Sequence, residues 1–105
     1  MERINFDPEF VPVILEGSKK TTIRKGIRSY PVGKAVELTV DNKPFALAKI
    51  KKVVVKRISE LSDEDARSDG FSNREELLNA LRRIYGEVSD SEFVTIVHFE
   101  ILNSQ

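Results

Sequence analysis

Four residues with distinct chemistry fall within residues 17–24 of this chain: Gly17, Lys19, Thr22 and Arg24. The glycine can adopt a left-handed backbone and end a helix, and the β-branched residues after it favour a strand. Because alternate side chains of a strand share a face, Thr22 and Arg24 should lie side by side. Lys19, in the preceding turn, can fold over the same face. An ammonium, a hydroxyl and a guanidinium are therefore predicted to converge on one accessible surface.

These three groups allow two kinds of chemistry. A planar guanidinium suits a phosphate or the edge of a base, because its donors form paired hydrogen bonds. A threonine hydroxyl becomes a nucleophile only when a base removes its proton, and a lysine acts as that base only when its pKa is lowered. We expect positive charge on Arg24 and Lys20 to lower the pKa of Lys19.

Other side chains in and after this segment favour ligand binding. Lys20, Lys25 and Arg28 extend a basic rim, and Tyr30 lies in a loop where its ring can stack on a base. Tyr85, near the end of a predicted helix, can stack in the same way. The alternative is that the basic side chains are solvated and both tyrosines pack against the core.

The composition restricts the class of protein and the kinds of site. The chain has 105 residues, of which 40% are hydrophobic and 32% charged, with one histidine and no cysteine. Disulfides and thiolate metal sites are excluded, and neither a metal nor a cofactor is expected. The amino terminus lacks the apolar run of a signal peptide, and no segment is apolar enough for a membrane helix. We therefore expect one domain over residues 1–105, cytoplasmic and monomeric, without membrane contact.

The net charge of zero conceals an asymmetry between the two halves of the chain. Residues 1–57 contain 13 Lys and Arg against 6 Asp and Glu, a charge of +7, and the remainder carries −7. If the halves stay apart, one surface is basic and can meet a polyanion such as RNA. If they pack together, they neutralise each other. The sequence leaves both arrangements open.

The hydrophobic periodicity predicts a mixed α+β protein that is mainly β. A helix should open at Asp7 and Pro8, a second at Ser62, and the longest with a capping box at Ser72. The long strand should bend or bulge, and the return of a strand at the carboxyl end fits a small β-barrel with flanking helices. The predicted helices cover residues 7–17, 62–70 and 72–86, and the predicted strands cover 21–25, 35–40, 45–56 and 93–102.

Three blocks of the sequence resemble one known family. Residues 17–24 match a glycine-lysine-threonine-arginine signature, residues 61–71 match a block in which an acidic residue follows an alanine by three, and residues 93–100 match a closing strand. In this order they resemble the ASCH family of small PUA-like domains, over nearly the whole chain. The resemblance implies that the barrel is PUA-like.

The resemblance also implies a set of catalytic residues. The ASCH family includes a small bacterial amidohydrolase that deacetylates N(4)-acetylcytidine with a lysine, a threonine and a glutamate. Lys19 and Thr22 match the first two by spacing, and Asp69 matches the third with a side chain one methylene shorter. The threonine would attack the amide, the lysine would accept its proton, and the carboxylate would orient the lysine or protonate the leaving amine. The alternative is a surface ion pair beside an ordinary strand residue.

Three functions therefore remain open at the level of sequence. The first is a binding module that recognises RNA or a modified nucleoside in a cleft lined by Lys19, Thr22, Arg24 and Asp69. The second is an amidohydrolase that uses Lys19, Thr22 and Asp69 in the same cleft. The third is a protein-interaction domain whose charge asymmetry steers a partner, because a fold alone does not determine a function.

Overall fold

The computed structural model describes residues 1–104, which form five strands, three α-helices and two short 3-10 turns. The strands are β1 (Arg3–Asn5), β2 (Thr21–Lys25), β3 (Ala35–Val40), β4 (Lys43–Arg57) and β5 (Phe93–Ser104). The helices are α1 (Val11–Leu15), α2 (Asp63–Ser68) and α3 (Arg74–Tyr85), and the 3-10 turns are Pro8–Phe10 and Ile58–Glu60. Within residues 1–104, no helix combines the length and the apolar character that crossing a membrane requires.

The five strands form one sheet in the order β1-β3-β4-β5-β2. β1 runs parallel to β3, and the other neighbours in the sheet are antiparallel. β4 has 15 residues, and its register against β5 shifts between Leu47 and Ala48 and again between Ile50 and Lys52. Such irregularities bend a long strand, and the sheet curls into a half-barrel with short helices against it. The predicted α+β, barrel-like fold is confirmed, and so is the irregularity of its long strand.

The two edge strands of the curled sheet approach each other. Arg24 on β2 donates a hydrogen bond from Nη2 to the main-chain oxygen of Asn5 on β1, at 2.9 Å. The sequence pattern does not predict β1, because three residues are too few for an alternating pattern to stand out. β1 forms because Arg3–Asn5 lies alongside Glu37, Leu38 and Thr39 of β3, more than thirty residues further along the chain.

Two hydrophobic clusters lie on opposite faces of β5. Val97 and Phe99 belong to the first cluster, whereas Val94 and Ile96 belong to the second, as the alternation of side chains along a strand requires. The first cluster includes residues of β1, α1, β3 and β4. The second includes residues of β2, α2 and α3. β2 therefore contributes to the second cluster, whereas β1 and the residues just after it contribute to the first. Residues of both clusters border the space between β2 and this N-terminal segment.

Two helix starts differ from the predictions. The segment after Asp7 opens as a 3-10 turn without a side-chain capping bond, and α1 begins only at Val11. The physical reason is Pro12, which has no amide hydrogen and so cannot donate a helical hydrogen bond back to Pro8. α3 is capped by Asn73 rather than Ser72, since Asn73 Oδ1 accepts the bond from the amide of Glu76 at 2.9 Å.

The predicted helix start at Ser62 is confirmed. Ser62 Oγ accepts a hydrogen bond from the amide of Asp65 at 3.0 Å, and Asp65 Oδ2 accepts one from the amide of Ser62 at 3.0 Å. This reciprocal pair satisfies two amides that the first turn of α2 would leave without a partner. The position of α2 matters for the site described below, because its carboxyl end carries Asp69.

Opposite charges from the two halves of the chain meet within the fold. Residues 1–104 contain four ion pairs, Arg3–Glu37, Lys19–Asp69, Lys51–Glu100 and Lys56–Asp65. All but the first join the basic half to the acidic half. The packing therefore neutralises part of the charge asymmetry, in line with the second of the two arrangements that the sequence leaves open.

Candidate functional site

The main chain of Lys19 lies against the main chain of Asp69. Gly17 has a φ of +94° and ends α1 in the predicted left-handed conformation. The amide of Lys19 then donates to the oxygen of Val13 at 2.9 Å, and an isolated antiparallel bridge pairs Lys19 with Asp69. Local turn geometry and this bridge therefore bring together two blocks that are fifty residues apart in sequence.

Asp69 follows the last residue of α2 and holds the Lys19 ammonium with two oxygens. Lys19 Nζ donates to Asp69 Oδ1 at 2.9 Å and to its main-chain oxygen at 3.3 Å. Gly70 comes next with a φ of +92°, and a Cβ there would lie 3.4 Å from the Cβ of Lys19. The backbone conformation after Asp69 therefore favours glycine, and a Cβ at this position would be in contact with Lys19.

The Lys19–Asp69 pair is buried, not a surface ion pair. The side chains of Lys19 and Asp69 expose only 4% and 6% of their area. Burial lowers the pKa of Lys19 below its ordinary value of 10.5, against the attraction of Asp69, and the charge of Arg24 lowers it further. Burial likewise raises the pKa of Asp69 above 3.8, against the opposing effect of Lys19. Burial rather than neighbouring positive charge has the largest effect, and Lys20, which we expected to contribute, is solvent-exposed.

Thr22 and Arg24 lie side by side on β2, as the alternation of the strand predicts. Arg24 Nε donates to Thr22 Oγ1 at 2.9 Å, and Arg24 also lies over the ring of Phe6, 5.2 Å from its centroid. The guanidinium is therefore held by a hydroxyl, an aromatic face and the Asn5 oxygen already described. Thr22 is buried and Arg24 is half-buried, and both side chains line a cavity.

Thr21 is a part of this cluster that the sequence analysis misses. Its Oγ1 donates to Asp69 Oδ1 at 2.8 Å, and the side chain is completely buried. The strand pattern predicts only that Thr21 faces the core, and it does. No local signal could show that a carboxylate from the carboxyl end of α2 would meet Thr21 there.

The four predicted residues lie around one cavity of about 300 Å³. Lys19, Thr22, Arg24 and Asp69 all line it, with Asn5 and Asp7 from the N-terminal segment. The remaining lining is apolar and aromatic, with Phe6 and Phe10 from the N-terminal segment and Phe71, Leu77, Leu81, Ile84 and Tyr85 around α3 among its members. The lining therefore combines charged and hydrogen-bonding groups with ring faces and methyl groups.

The other predicted ligand-binding residues do not line this cavity. Lys20 contributes to a separate groove of about 400 Å³ that also contains His98. Arg28 is exposed and donates from Nε to the main-chain oxygen of Lys25 at 2.9 Å. Tyr30 is half-buried and packs against the first hydrophobic cluster. Of the two tyrosines, it is Tyr85 that reaches the cavity, since the carboxyl end of α3 lies beside it.

The chain belongs to the ASCH domain family, which it matches over residues 2–103. It is similar in fold to the ASCH domain from Lactobacillus crispatus JV V101, with 18% identity, a TM-score of 0.71 and coverage of 95% of this chain and 79% of that one. ASCH from Zymomonas mobilis is 18% identical, with a TM-score of 0.70 and coverage of 98% and 67%. The hypothetical protein PH0355 is 18% identical, with a TM-score of 0.72 and coverage of 97% and 100%.

These similarities confirm the family and the fold but leave the activity open. At 18% identity, a structural likeness shows the fold alone, and unrelated functions share folds. No curated protein matches this sequence.

Proposed function

We propose that this protein binds a modified nucleoside, free or within RNA, in the cavity lined by Lys19, Thr22, Arg24 and Asp69. The observation that carries the proposal is the mixed chemistry of the lining. Two cationic side chains, of which Lys19 is buried, and the buried carboxylate of Asp69 line the same cavity as Phe71 and the apolar side chains of α3. A nucleobase has matching chemistry, because its edge forms hydrogen bonds and its faces are apolar.

The size of the cavity favours one nucleoside over a long stretch of RNA. A volume of about 300 Å³ is at the lower end of ligand pockets. The basic side chains that would extend a track for the RNA backbone, Lys20, Lys25 and Arg28, are absent from its lining. A base flipped out of a strand, or a free nucleoside, matches this volume, with Tyr85 available to stack on the ring.

Binding is tested by calorimetry with N(4)-acetylcytidine and with cytidine. We expect the acetylated nucleoside to bind more tightly, and Arg24→Gln to weaken binding at least about tenfold, because hydrogen bonds to charged groups contribute roughly 1.5–3 kcal/mol. Arg28→Gln is the matched control, since its guanidinium does not line the cavity. Equal losses in the two variants would locate binding outside the cavity, and no binding of either nucleoside would refute the proposal.

Amide hydrolysis is a second candidate function, and the burial of Lys19 is the observation that favours it. A lysine with a lowered pKa has a larger uncharged fraction, and only the uncharged amine can accept a proton. The carboxylate of Asp69, 2.9 Å from Lys19 Nζ, would stabilise the ammonium that forms. The hydrogen bond from Arg24 to Thr22 Oγ1 would stabilise negative charge on that oxygen.

The reaction would take place in two steps. In the first, Thr22 Oγ1 attacks the acetyl carbon while Lys19 Nζ takes the hydroxyl proton, and the C–N bond breaks as that proton passes to the leaving amine of cytidine. The product is an acetyl ester on Thr22. In the second, water attacks the ester carbon, Lys19 takes one proton from the water and returns it to Thr22 Oγ1, and acetic acid leaves and releases its proton to the solvent as acetate. Atoms and protons balance without a metal or a redox partner.

Turnover is tested by incubating the protein with N(4)-acetylcytidine and measuring cytidine and acetate. We expect both products in equal amounts, and an acetyl group on Thr22 detectable by mass spectrometry after rapid quenching. Thr22→Val should release neither product, because it removes the nucleophile and keeps the shape. Tight binding without product would leave the binding function and refute the hydrolase.

A further inference from the structure

Thr21 makes a contact that neither the binding nor the hydrolysis described above uses. Its hydroxyl donates to Asp69 Oδ1 at 2.8 Å, and the same oxygen accepts from Lys19 Nζ at 2.9 Å. Thr21 is completely buried and is not among the residues that line the cavity. A ligand in the cavity therefore meets Asp69 and Lys19 but does not touch Thr21.

The environment of Asp69 gives this hydroxyl a role. A buried carboxylate tends to take up a proton unless donors and positive charge stabilise its anion. The charged groups that act on Asp69 are Lys19 and Arg24, and Thr21 is the uncharged donor. Two donors on one oxygen also restrict rotation of a side chain that has only one methylene. An aspartate, shorter than a glutamate, can therefore keep a defined direction towards Lys19.

We propose that Thr21 is a positioning residue, which keeps Asp69 ionised and directed at Lys19 without contacting the ligand. Only the effect of Thr21 on catalysis rests on the proposed function. The effect of its hydroxyl on the buried carboxylate of Asp69 is a property of the ligand-free protein. The two parts can therefore be tested separately.

The first test follows the side-chain carboxyl carbon of Asp69 by NMR as a function of pH, in the ligand-free protein. Thr21→Val keeps the shape of the side chain and removes the donor, so the pKa of Asp69 should rise. Thr21→Ser restores the hydroxyl and should return the midpoint towards that of wild type. The same midpoint in wild type and Thr21→Val would overturn the inference, whatever the activity of the protein. Thr21→Ala replaces Thr21→Val in this test if the latter does not fold.

The second test measures hydrolysis of N(4)-acetylcytidine by the same variants. Thr21→Val should lower kcat about 10- to 100-fold with little change in KM, because a hydrogen bond to a charged group is lost from a residue outside the cavity. Thr21→Ser should recover most of the loss, which a purely structural effect of the extra methyl group would not predict. An unchanged kcat in Thr21→Val would overturn the catalytic part of the inference.

The two failures are distinguishable. If wild type neither binds nor hydrolyses the nucleoside, the proposed function fails, and the NMR titration still decides whether Thr21 controls Asp69. If wild type is active and Thr21→Val is equally active with an unshifted Asp69, the proposed function stands and Thr21 is an ordinary buried threonine.

Discussion

Asp65 lies within α2, and Asp69 follows the last residue of that helix. Each aspartate accepts a hydrogen bond from a lysine, yet their environments have opposite effects on the pKa of the carboxylate. Lys56 Nζ lies 2.7 Å from Asp65 Oδ2, and Lys19 Nζ lies 2.9 Å from Asp69 Oδ1. The side chains of Lys56 and Asp65 expose 29% and 15% of their area, against 4% and 6% for Lys19 and Asp69. The two pairs differ mainly in how much water remains around them.

The pKa values of the two aspartates move in opposite directions. Burial by itself would raise the pKa of Asp65, but the hydrogen bonds from Lys56 and Ser62 outweigh it and hold the pKa below 3.8. At Asp69, burial outweighs the partners and the pKa rises. Residue type and pairing alone therefore do not show in which direction the pKa of a carboxylate shifts. Asp65 completes the cap of α2, whereas Asp69 lines the cavity with a lysine of lowered pKa.

The largest difference between the Lys19–Asp69 and Lys56–Asp65 pairs is expected in the rate of turnover when the lysine is replaced. Lys19→Met keeps an apolar stem and removes the proposed base, so the proposed hydrolysis of N(4)-acetylcytidine should fall about 10²- to 10⁴-fold. Lys56→Met is the matched control and should retain activity, because Lys56 does not line the cavity. Product formation by each purified variant is the measurement. Equal losses would show that the comparison between the pairs carries no functional meaning.

The next effect is in the free energy of unfolding. Asp69→Ala leaves a buried lysine without its partner and should cost about 3–5 kcal/mol. Asp65→Ala loses a partly exposed pair and one half of a capping box, and should cost about 1 kcal/mol. Urea denaturation of both variants against wild type measures the difference. Similar costs would indicate that Lys19 sheds its proton and tolerates the loss of Asp69.

The pH dependence of stability should have opposite signs for the two residues. The lowered pKa of Asp65 stabilises the fold above 3.8, and this contribution is lost as pH falls through the lowered value. The raised pKa of Asp69 stabilises the fold below 3.8, and this contribution is lost as pH rises through the raised value.

This difference is measured by urea denaturation of wild type, Asp65→Asn and Asp69→Asn between about pH 3 and about pH 7. The stability of wild type relative to Asp65→Asn should increase with pH, and relative to Asp69→Asn it should decrease. Slopes of the same sign would mean that burial does not dominate at Asp69.

The smallest effect on stability is expected at a third pair, which is more exposed than the other two. Lys51 Nζ lies 3.4 Å from Glu100 Oε2, and both side chains are more than half exposed, at 58% and 57%. A double-mutant cycle with Lys51→Ala and Glu100→Ala should give a coupling of less than about 1 kcal/mol, and salt should reduce it further. A coupling of about 3 kcal/mol or more, the range expected for loss of the buried Asp69, would contradict the link between burial and energy.

Features that depend on neighbouring residues could be predicted from the sequence. The left-handed glycine at Gly17, the strand that follows it and the cap at Ser62 depend on local backbone preferences, and the structure confirms all three. The alternation that places Thr22 beside Arg24 is local as well. The ASCH resemblance adds Asp69 to the predicted site, because the family motif contains a second block, distant in sequence from residues 17–24, that carries an acidic residue at this position.

Features that depend on long-range packing were decided only by the tertiary structure. β1 exists because β3 offers it a partner, and Thr21 reaches Asp69 because α2 ends against β2. The same packing places Tyr85 at the cavity and Tyr30 against the core. The physical reason is that a sequence shows which side chain carries a charge or a ring, but not how much water surrounds it. The exclusion of water shifts a pKa and accompanies the formation of a cavity. It depends on elements that meet only in the folded chain.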